Sequence, residues 1–445
     1  MAVISEADPS TIKDAKSIII VGAGNFGSAT ALDLARKGDI QVTLIDTTPQ
    51  ANPRAASHDV NKIVRDDYAD ELYMKTMLRA MPQWRDPGGM YAPYFHEVGM
   101  LRADPGTHGD KVLRAYERLG ADSRATWLSV DEVRGRFNGA FADTHFGDLD
   151  KIFYNPNCGW AEADKALNAV LEAARKAGVT YVQGTVEKVL FDPSGAAKGV
   201  LLKGGEELDA DAVLLATGAR TPALLLDSGP HRPDLQVGDR LIATGAMSFT
   251  GTLSGAKKEK YTNVPVCKNV LPGVKGESMG MTADGTIKFN CDMAFVNRKR
   301  DVGGPSKMSV APEDLAYGTW REDAFSPKFK ARALMTMRGL YGRDVEDVEI
   351  EKFRMCWDAT TPTHDFLITP HPHARRLFLA TGGSFHGWKF LPVIGEYIGK
   401  MLLGTLDKEY AERWAWYKPD GYGNRANTTY DIELDLPTSG WLNDK

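Results

Sequence analysis

Three glycines, Gly22, Gly24 and Gly27, stand in the spacing GxGxxG within "SIIIVGAGNFGSATALDLARKGDIQVTLID", residues 17–46. The first allows a tight turn, the second lets backbone approach a pyrophosphate, and the third lets a helix pack on a strand. Asn25 and Phe26 lie between them at the start of an Ala/Leu-rich helix, whose N-terminal N–H groups suit phosphate. Asp46 closes the second strand, where an acid can hold ribose hydroxyls and disfavours a 2′-phosphate. A glycine-rich turn alone would explain three glycines. Strand, loop, helix, strand and terminal acid in this order instead indicate dinucleotide binding, with FAD or NAD favoured over NADP.

Cys356 is the second candidate, in "EKFRMCWDATTPTHDFLI", residues 351–368. It is one of only four cysteines (158, 267, 291 and 356), which form no CxxC and no metal-ligand spacing, so neither a disulfide framework nor a metal site is indicated. A lone cysteine is commonly a small buried hydrophobe; the alternative is a sulfur joined to another group. A third candidate strip is "AASHDVNKIVRDDYADELYMKTMLRAMPQW", residues 55–84, where Ser57, His58, Asp59 and Lys62 precede an amphipathic helical pattern (Leu72, Met74, Met77, Leu78, Met81). A solvated loop accounts for the charges. It accounts less well for Ile63 and Val64 set between Lys62 and Arg65.

These candidates need elements to hold them. "LDADAVLLATGART", residues 208–221, reads as a buried strand running into Ala216-Thr217-Gly218, after a helix at 162–177 and strands near 180–189, which include Val186, and 197–203. It resembles the second, ATG-type segment of two-segment FAD-binding folds, in which Gly218 would let the chain pass close to the dinucleotide. In "FLATGGSFHGWKFLPVIGEYIGKML", residues 378–402, a strand ends at Gly382-Gly383, a loop with Gly387 follows, and a helix begins near Pro392.

At 445 residues the chain suggests two domains, interleaved in sequence as the candidate segments are. Composition is that of a globular protein, 43% hydrophobic and 25% charged, and the 44 glycines exceed the usual share. A net charge of −5 gives no electrostatic reason to expect nucleic acid. No apolar run is long enough to span a membrane, the N-terminus has no signal-peptide pattern, and "GWLNDK" is no simple peroxisomal tripeptide. A cytoplasmic enzyme is expected, with the peroxisome as the other address.

"SHDVNKIVRDDYAD", "IKFNCD", "MCWDATTPTHDFLI" and "GGSFHGWKFLP" occur in the order found in the monomeric sarcosine oxidase family, and the chain resembles that family from about residue 15 to 405. The family includes fructosyl amino acid oxidases (amadoriases), saccharopine and pipecolate oxidases, and N-methyl amino acid oxidases. The resemblance implies an α/β (α+β) fold, a glutathione-reductase-type FAD-binding Rossmann domain interleaved with an antiparallel-sheet substrate domain. The implied FAD-binding parts are 1–90, 150–230 and 354–445; the substrate parts are 91–149 and 231–353. It implies FAD held by an 8α-S-cysteinyl bond to Cys356, Cys291 lacking that context. It places Lys288 near flavin N5 for the reaction with O2, although a lysine in such a strand also fits a solvent-facing position. It places Lys389 and Arg65 as a carboxylate clamp, Arg65 through its planar fork. Lys62 matches a basic position over the flavin, and a surface lysine is an equal alternative. Ser57 and His58 belong to a loop along the FAD, with Asp59, rather than to an acid–base pair. The resemblance also implies Gly383, Gly387 and Lys389 among the cofactor contacts, and the helix that follows can aim its N-terminus at the flavin.

The implied activity is oxidation of a secondary amine, an N-substituted or cyclic amino acid, to an imine, with O2 reduced to hydrogen peroxide. Positioning dominates such chemistry, so no triad, metal or general-base carboxylate is expected. A fructosyl amino acid substrate is an alternative, although Asp292 lacks the His-Pro-Gly that follows the sugar-binding acid of amadoriases. Further alternatives are an oxidase of N-methylated aromatic amines, an NAD-dependent dehydrogenase, and a flavin-bearing protein without turnover. Tyr91, Tyr94, Phe95, Phe249, Tyr261 and Trp320 either shape an aromatic site or fill core, and His96 reads as structural. A monomer with small-molecule partners, and neither nucleic acid nor membrane, completes the expectation.

Overall fold

The computed structural model describes residues 10–299, 308–312, 317–319, 326–418 and 433–435. Trp320 and the C-terminal tripeptide lie outside the described residues.

The apolar runs at both ends of the chain meet in one sheet. Its order is Leu367–Pro370, Leu377–Thr381, Ala212–Leu215, Ser17–Val21, Gln41–Asp46, Thr180–Gln183 among the described residues. All neighbours are parallel except the first pair, an antiparallel hairpin. Ile18, Ile19, Ile20, Leu214 and Leu215 are almost completely buried, as central parallel strands covered on both faces must be. The helices Asn25–Lys37 and Leu391–Leu402 cross closely on this sheet. A Cβ on Gly395 would lie 2.1 Å from the carbonyl oxygen of Ala29, so only glycine permits that approach.

The second sheet is mixed. Its order is Tyr317–Thr319, Lys352–Thr360, Ile242–Thr252, Thr286–Val296, Gly276–Ser278, Val266–Asn269, Met100–Ala103, Lys151–Asn155, Thr126–Ser129, with Glu433–Asp435 also beside Thr286–Val296. Most pairings are antiparallel, as expected, but Val266–Asn269 runs parallel to Met100–Ala103 and Glu433–Asp435 parallel to Thr286–Val296. Residues 151–155 and 354–360, grouped from sequence with the FAD-binding parts, run in this sheet. Side chains alternate across a strand: Ile287, Phe289 and Cys291 enter a core with Phe249, Phe329 and Tyr341. Lys288, Asn290 and Asp292 take the other face, where polar residues continue in register through Arg354, Ser248, Asn290, Glu277, Lys268 and Arg102.

A small sheet, Lys62–Val64, Gly159–Ala161 and Phe95–His96, joins the two regions. It carries the polar strip 55–67 onto the polar face. Among the described residues no helix is long and apolar enough to cross a membrane.

Candidate active site

At the nucleotide end, two segments interlock. Gly22 (φ +99°) lies against Ala216, whose carbonyl oxygen would be 2.6 Å from a Cβ there, and Gly27 lies against Gly22, whose carbonyl oxygen would be 1.9 Å from one. A Cβ on Gly24 would meet the Ser57 hydroxyl at 3.0 Å. Gly218 (φ +53°) faces open space, with nothing within 4 Å of a Cβ position. Asn25 donates from Nδ2 to the Gly387 carbonyl (2.8 Å), while its Oδ1 is buried without a hydrogen-bond partner. The helix that begins at Asn25 has no acidic residue in its first turn. These features fit a dinucleotide phosphate at the helix N-terminus. Asp46 accepts from the Ala23 amide (2.8 Å) and from Asn52 Nδ2 (2.8 Å), so it fixes the glycine loop as well as ending its strand. Val186 begins the strand Val186–Phe191 just beyond Gly184, whose N–H donates to the Asp46 carbonyl. Phe26 is buried, edge-on to Phe366 and beside Gly387.

The strip 55–62 is pinned from the mixed sheet. Asp59 Oδ2 receives Lys288 Nζ at 2.7 Å, Lys62 Nζ at 3.3 Å and Arg354 Nη1 at 3.3 Å. Lys288 Nζ also donates to the Asn61 carbonyl (2.9 Å), and Arg354 Nη2 to the Ala55 carbonyl (2.7 Å). Burial opposes ionisation of Asp59, but the three cations overcome it and hold the carboxyl well below its usual range. Burial pushes Lys288 down to about 8, with Asp59 pulling the other way. His58 stays on the loop, its N–H donating to the Ala55 carbonyl and its imidazole lowered by burial. Cys356 Sγ lies 3.7 Å from the Ala56 carbonyl oxygen on the same loop. It is half-buried, whereas Cys158, Cys267 and Cys291 are buried and their thiols pushed up by desolvation.

The loop 382–387 approaches from the first sheet. Ser384 and Phe385 have positive φ, strain that persists where surrounding structure enforces it, and Gly382 just before them takes a positive φ at no cost. Asp358 enforces part of it: its Oδ2 accepts the Phe385 amide at 2.7 Å, and a Cβ on Gly383 would come 3.3 Å from its Oδ1. Lys389 follows, buried, donating from Nζ to the Tyr68 hydroxyl (3.1 Å) and the His386 carbonyl (2.9 Å). The Arg65 guanidinium stacks 4.4 Å over the same Tyr68 ring and pairs with Asp67 at 2.9 Å. Lys389 and Arg65 therefore share Tyr68.

The chain belongs to the FAD-dependent oxidoreductase (DAO) family. That family's profile matches residues 17–401. The match removes the NAD-dependent dehydrogenase alternative and makes FAD the dinucleotide of this chain. The chain is 27% identical to the L-saccharopine oxidase of Schizosaccharomyces pombe over 432 residues, 91% of this chain and 94% of that one. It is 24% identical to the monomeric sarcosine oxidase of a Bacillus species, over 87% and 92% of the two chains. The crystal structure of the deglycating fructosamine oxidase from Aspergillus fumigatus (Amadoriase II) superposes with a TM-score of 0.79 at 25% identity, covering 98% of each chain.

Other expected residues lie elsewhere. Phe249 stacks on Phe289 (5.1 Å) in the core behind the polar face, and Tyr261 is buried in the same core. Tyr91 and Phe95 pack on Trp84. His96 stacks on Trp160 at 3.9 Å and bonds Glu162. Asp292 is buried with Oδ2 2.6 Å from Lys268 Nζ, and Lys268 also reaches Glu277 (2.9 Å). Burial pushes Asp292 up to about 6. Sequence reasoning missed Arg354, Asp358, Tyr68 and His386 as parts of the site. All four stand inside the quoted motifs, so the signal was present without a partner to interpret it.

Proposed function

We propose that this oxidoreductase oxidises the C–N bond of a secondary amine carrying a carboxylate, an N-substituted or cyclic amino acid. The product is an imine, and O2 is reduced to hydrogen peroxide. The observation that carries the reading is the convergence of Lys389 and Arg65 on Tyr68, a paired basic group suited to a carboxylate. The names of the saccharopine and sarcosine oxidases, both relatives along most of the chain, agree with it.

FAD, when bound, supplies the hydride acceptor and the group that reduces oxygen. This chain's residues bind and orient. Gly22, Gly24, Asn25, Phe26, Gly27, Asp46, Ser57, His58, Lys62, Val186, Gly218, Gly383, Gly387 and the Lys389 backbone are the proposed cofactor contacts. Cys356 is the proposed 8α-S-cysteinyl anchor, being the half-buried thiol beside the loop that lines the cofactor. Lys288, held in place by Asp59 and Asn61, is the proposed cation for the oxygen reaction. The FAD-binding parts (1–90, 150–230, 354–445, apart from the strands at 151–155, 354–360 and 433–435 that run in the mixed sheet) and substrate parts (91–149, 231–353) are proposed to work in a cytoplasmic monomer.

Deglycation is the second reading, favoured by the TM-score of 0.79 to Amadoriase II. Against it, Asp292, at the sugar-binding acid's place, is engaged by buried Lys268. A peroxide-coupled screen of sarcosine, pipecolate, saccharopine, fructosyl-valine, fructosyl-lysine and N-methylated aromatic amines decides. Turnover of a carboxylated secondary amine is expected. Peroxide from fructosyl substrates alone would replace the first reading by the second.

A further inference from the structure

Three lysines among the described residues are buried: Lys268, Lys288 and Lys389. Lys268 holds Asp292 and Glu277, and Lys288 holds Asp59. Among the described residues Lys389 has no such carboxylate, and the hydrogen bonds of its Nζ go to the Tyr68 hydroxyl and the His386 carbonyl. A buried ammonium without a counter-ion is costly, whereas a neutral amine with two hydrogen bonds is not.

The directions of those hydrogen bonds are fixed by chemistry. His386 Nε2 lies 2.8 Å from the His364 carbonyl oxygen, which only accepts, so Nε2 carries the proton. Nδ1 of the neutral ring is then an acceptor, and the Tyr68 hydroxyl, 3.2 Å away, donates to it. With its proton committed to His386, the Tyr68 oxygen can only accept from Lys389. The His386 carbonyl also accepts. Both N–H bonds of a neutral Lys389 amine are thereby used, and its lone pair takes a remaining tetrahedral direction.

We propose that Lys389 awaits substrate as a neutral amine and accepts the ammonium proton of the incoming amino acid, in the carboxylate-binding site proposed above. The substrate N–H bond breaks and leaves its electron pair on the substrate nitrogen. The Nζ lone pair forms the new N–H bond. One transfer yields both species the reaction needs: a free amine ready for oxidation, and a lysine ammonium to balance the charge of the carboxylate.

The surroundings agree. Burial, then the Arg65 cation, holds Lys389 well below the usual lysine range. Burial likewise lowers His386 to about 3, so its ring is neutral. The charged and titratable groups facing Lys389 are Arg65, Asp67, Glu277, Lys62, Tyr68 and His386. Arg65 is paired with Asp67, Lys62 with Asp59 and Glu277 with Lys268, so each charge already has a partner.

The test uses 2-furoate, a carboxylate without an ammonium to donate. Furoate is titrated into the flavin-loaded enzyme at about pH 8, below the usual lysine range, in two buffers of different ionisation enthalpy. Binding is expected to draw about one proton from solution, since a neutral Lys389 must charge to hold the anion. Lys389→Arg, charged throughout, is expected to bind furoate with that uptake lost. Furoate binding to the wild type without uptake, or uptake persisting in Lys389→Arg, overturns the proposal. No furoate binding to the wild type would instead overturn the carboxylate site on which it rests, and this inference with it.

Discussion

Asp59 and Lys288 lie 2.7 Å apart, with side chains only 7% and 4% exposed. This buried pair ties the strip 55–62 to the middle of the mixed sheet, and the same carboxylate serves Lys62 and Arg354. Removing one member of a buried ion pair leaves the others uncompensated, at a cost of about 3–5 kcal/mol. Asp59→Asn should lower stability by that order, read by chemical denaturation of the flavin-loaded protein. An unchanged midpoint would show that the cluster is not structural.

Lys288 should set the pH dependence of the oxygen reaction. Burial lowers it to about 8, so its charge is present below that pH and lost above it. Reoxidation of reduced enzyme should therefore slow as pH rises through about 8. Lys288→Met should be slower by about 10²-fold, by analogy with loss of one charge-stabilising donor, with no inflection. The linked effect on stability has the opposite trend. The unfolded lysine binds its proton up to its normal pKa, so this group's burial cost shrinks as pH rises from about 8 towards 10.5. Equal slowing of substrate reduction and reoxidation in Lys288→Met would contradict the assignment.

Cys356→Ala should convert retained flavin into flavin released by acid precipitation, while Cys158→Ala, Cys267→Ala and Cys291→Ala should keep it attached. Absorbance of the precipitate distinguishes these. Flavin wholly released from the wild type would remove the covalent bond from the account.

Two glycines, one from each of the interlocked segments, should respond differently. Gly27→Ala places a Cβ 1.9 Å from the Gly22 carbonyl and should disrupt the loop itself, lowering the melting temperature even without FAD. Gly218→Ala enters open space, so its strain is that of an alanine at φ +53°, about 1 kcal/mol. Its main expected effect is weaker FAD retention in a Cys356→Ala background. Similar melting curves for the two would argue that neither contact is tight.

Arg65→Ala should weaken furoate binding by about tenfold or more, since a hydrogen bond to a charged group contributes about 1.5–3 kcal/mol. Asp67, its present partner, makes the size informative. An unchanged Kd would mean that Arg65 remains committed to Asp67 when a carboxylate binds.

The glycine segments, the flanking strands and the helix after Pro392 were legible in the sequence, because local spacing alone specifies them. Lys288, Lys389, Arg65 and Cys356 came from resemblance to a family. Partners were not legible. Asp59 read as a loop residue because Lys288 and Arg354, which bury it, lie more than two hundred residues along the chain. The same holds for Tyr68 and His386, whose hydrogen bond joins residues 318 apart in sequence. Asp292 read as a candidate sugar-binding acid because nothing in "KFNCDMAFVN" announces Lys268 on another strand.

Asn25 reaches Gly387 across a sequence separation of 362, and Arg376 reaches Thr11 across 365. Contacts of such separation are expensive to close and tend to form late. A chain emerging from the ribosome in order therefore makes its glycine loop first and its opposite wall last. Residues 17–46 have no completed pocket until the segment through Gly387 has been synthesised. If the proposed cofactor contacts hold, cofactor capture is a closing event of biosynthesis, and a truncation before Gly387 should leave an incomplete cradle however intact its glycines.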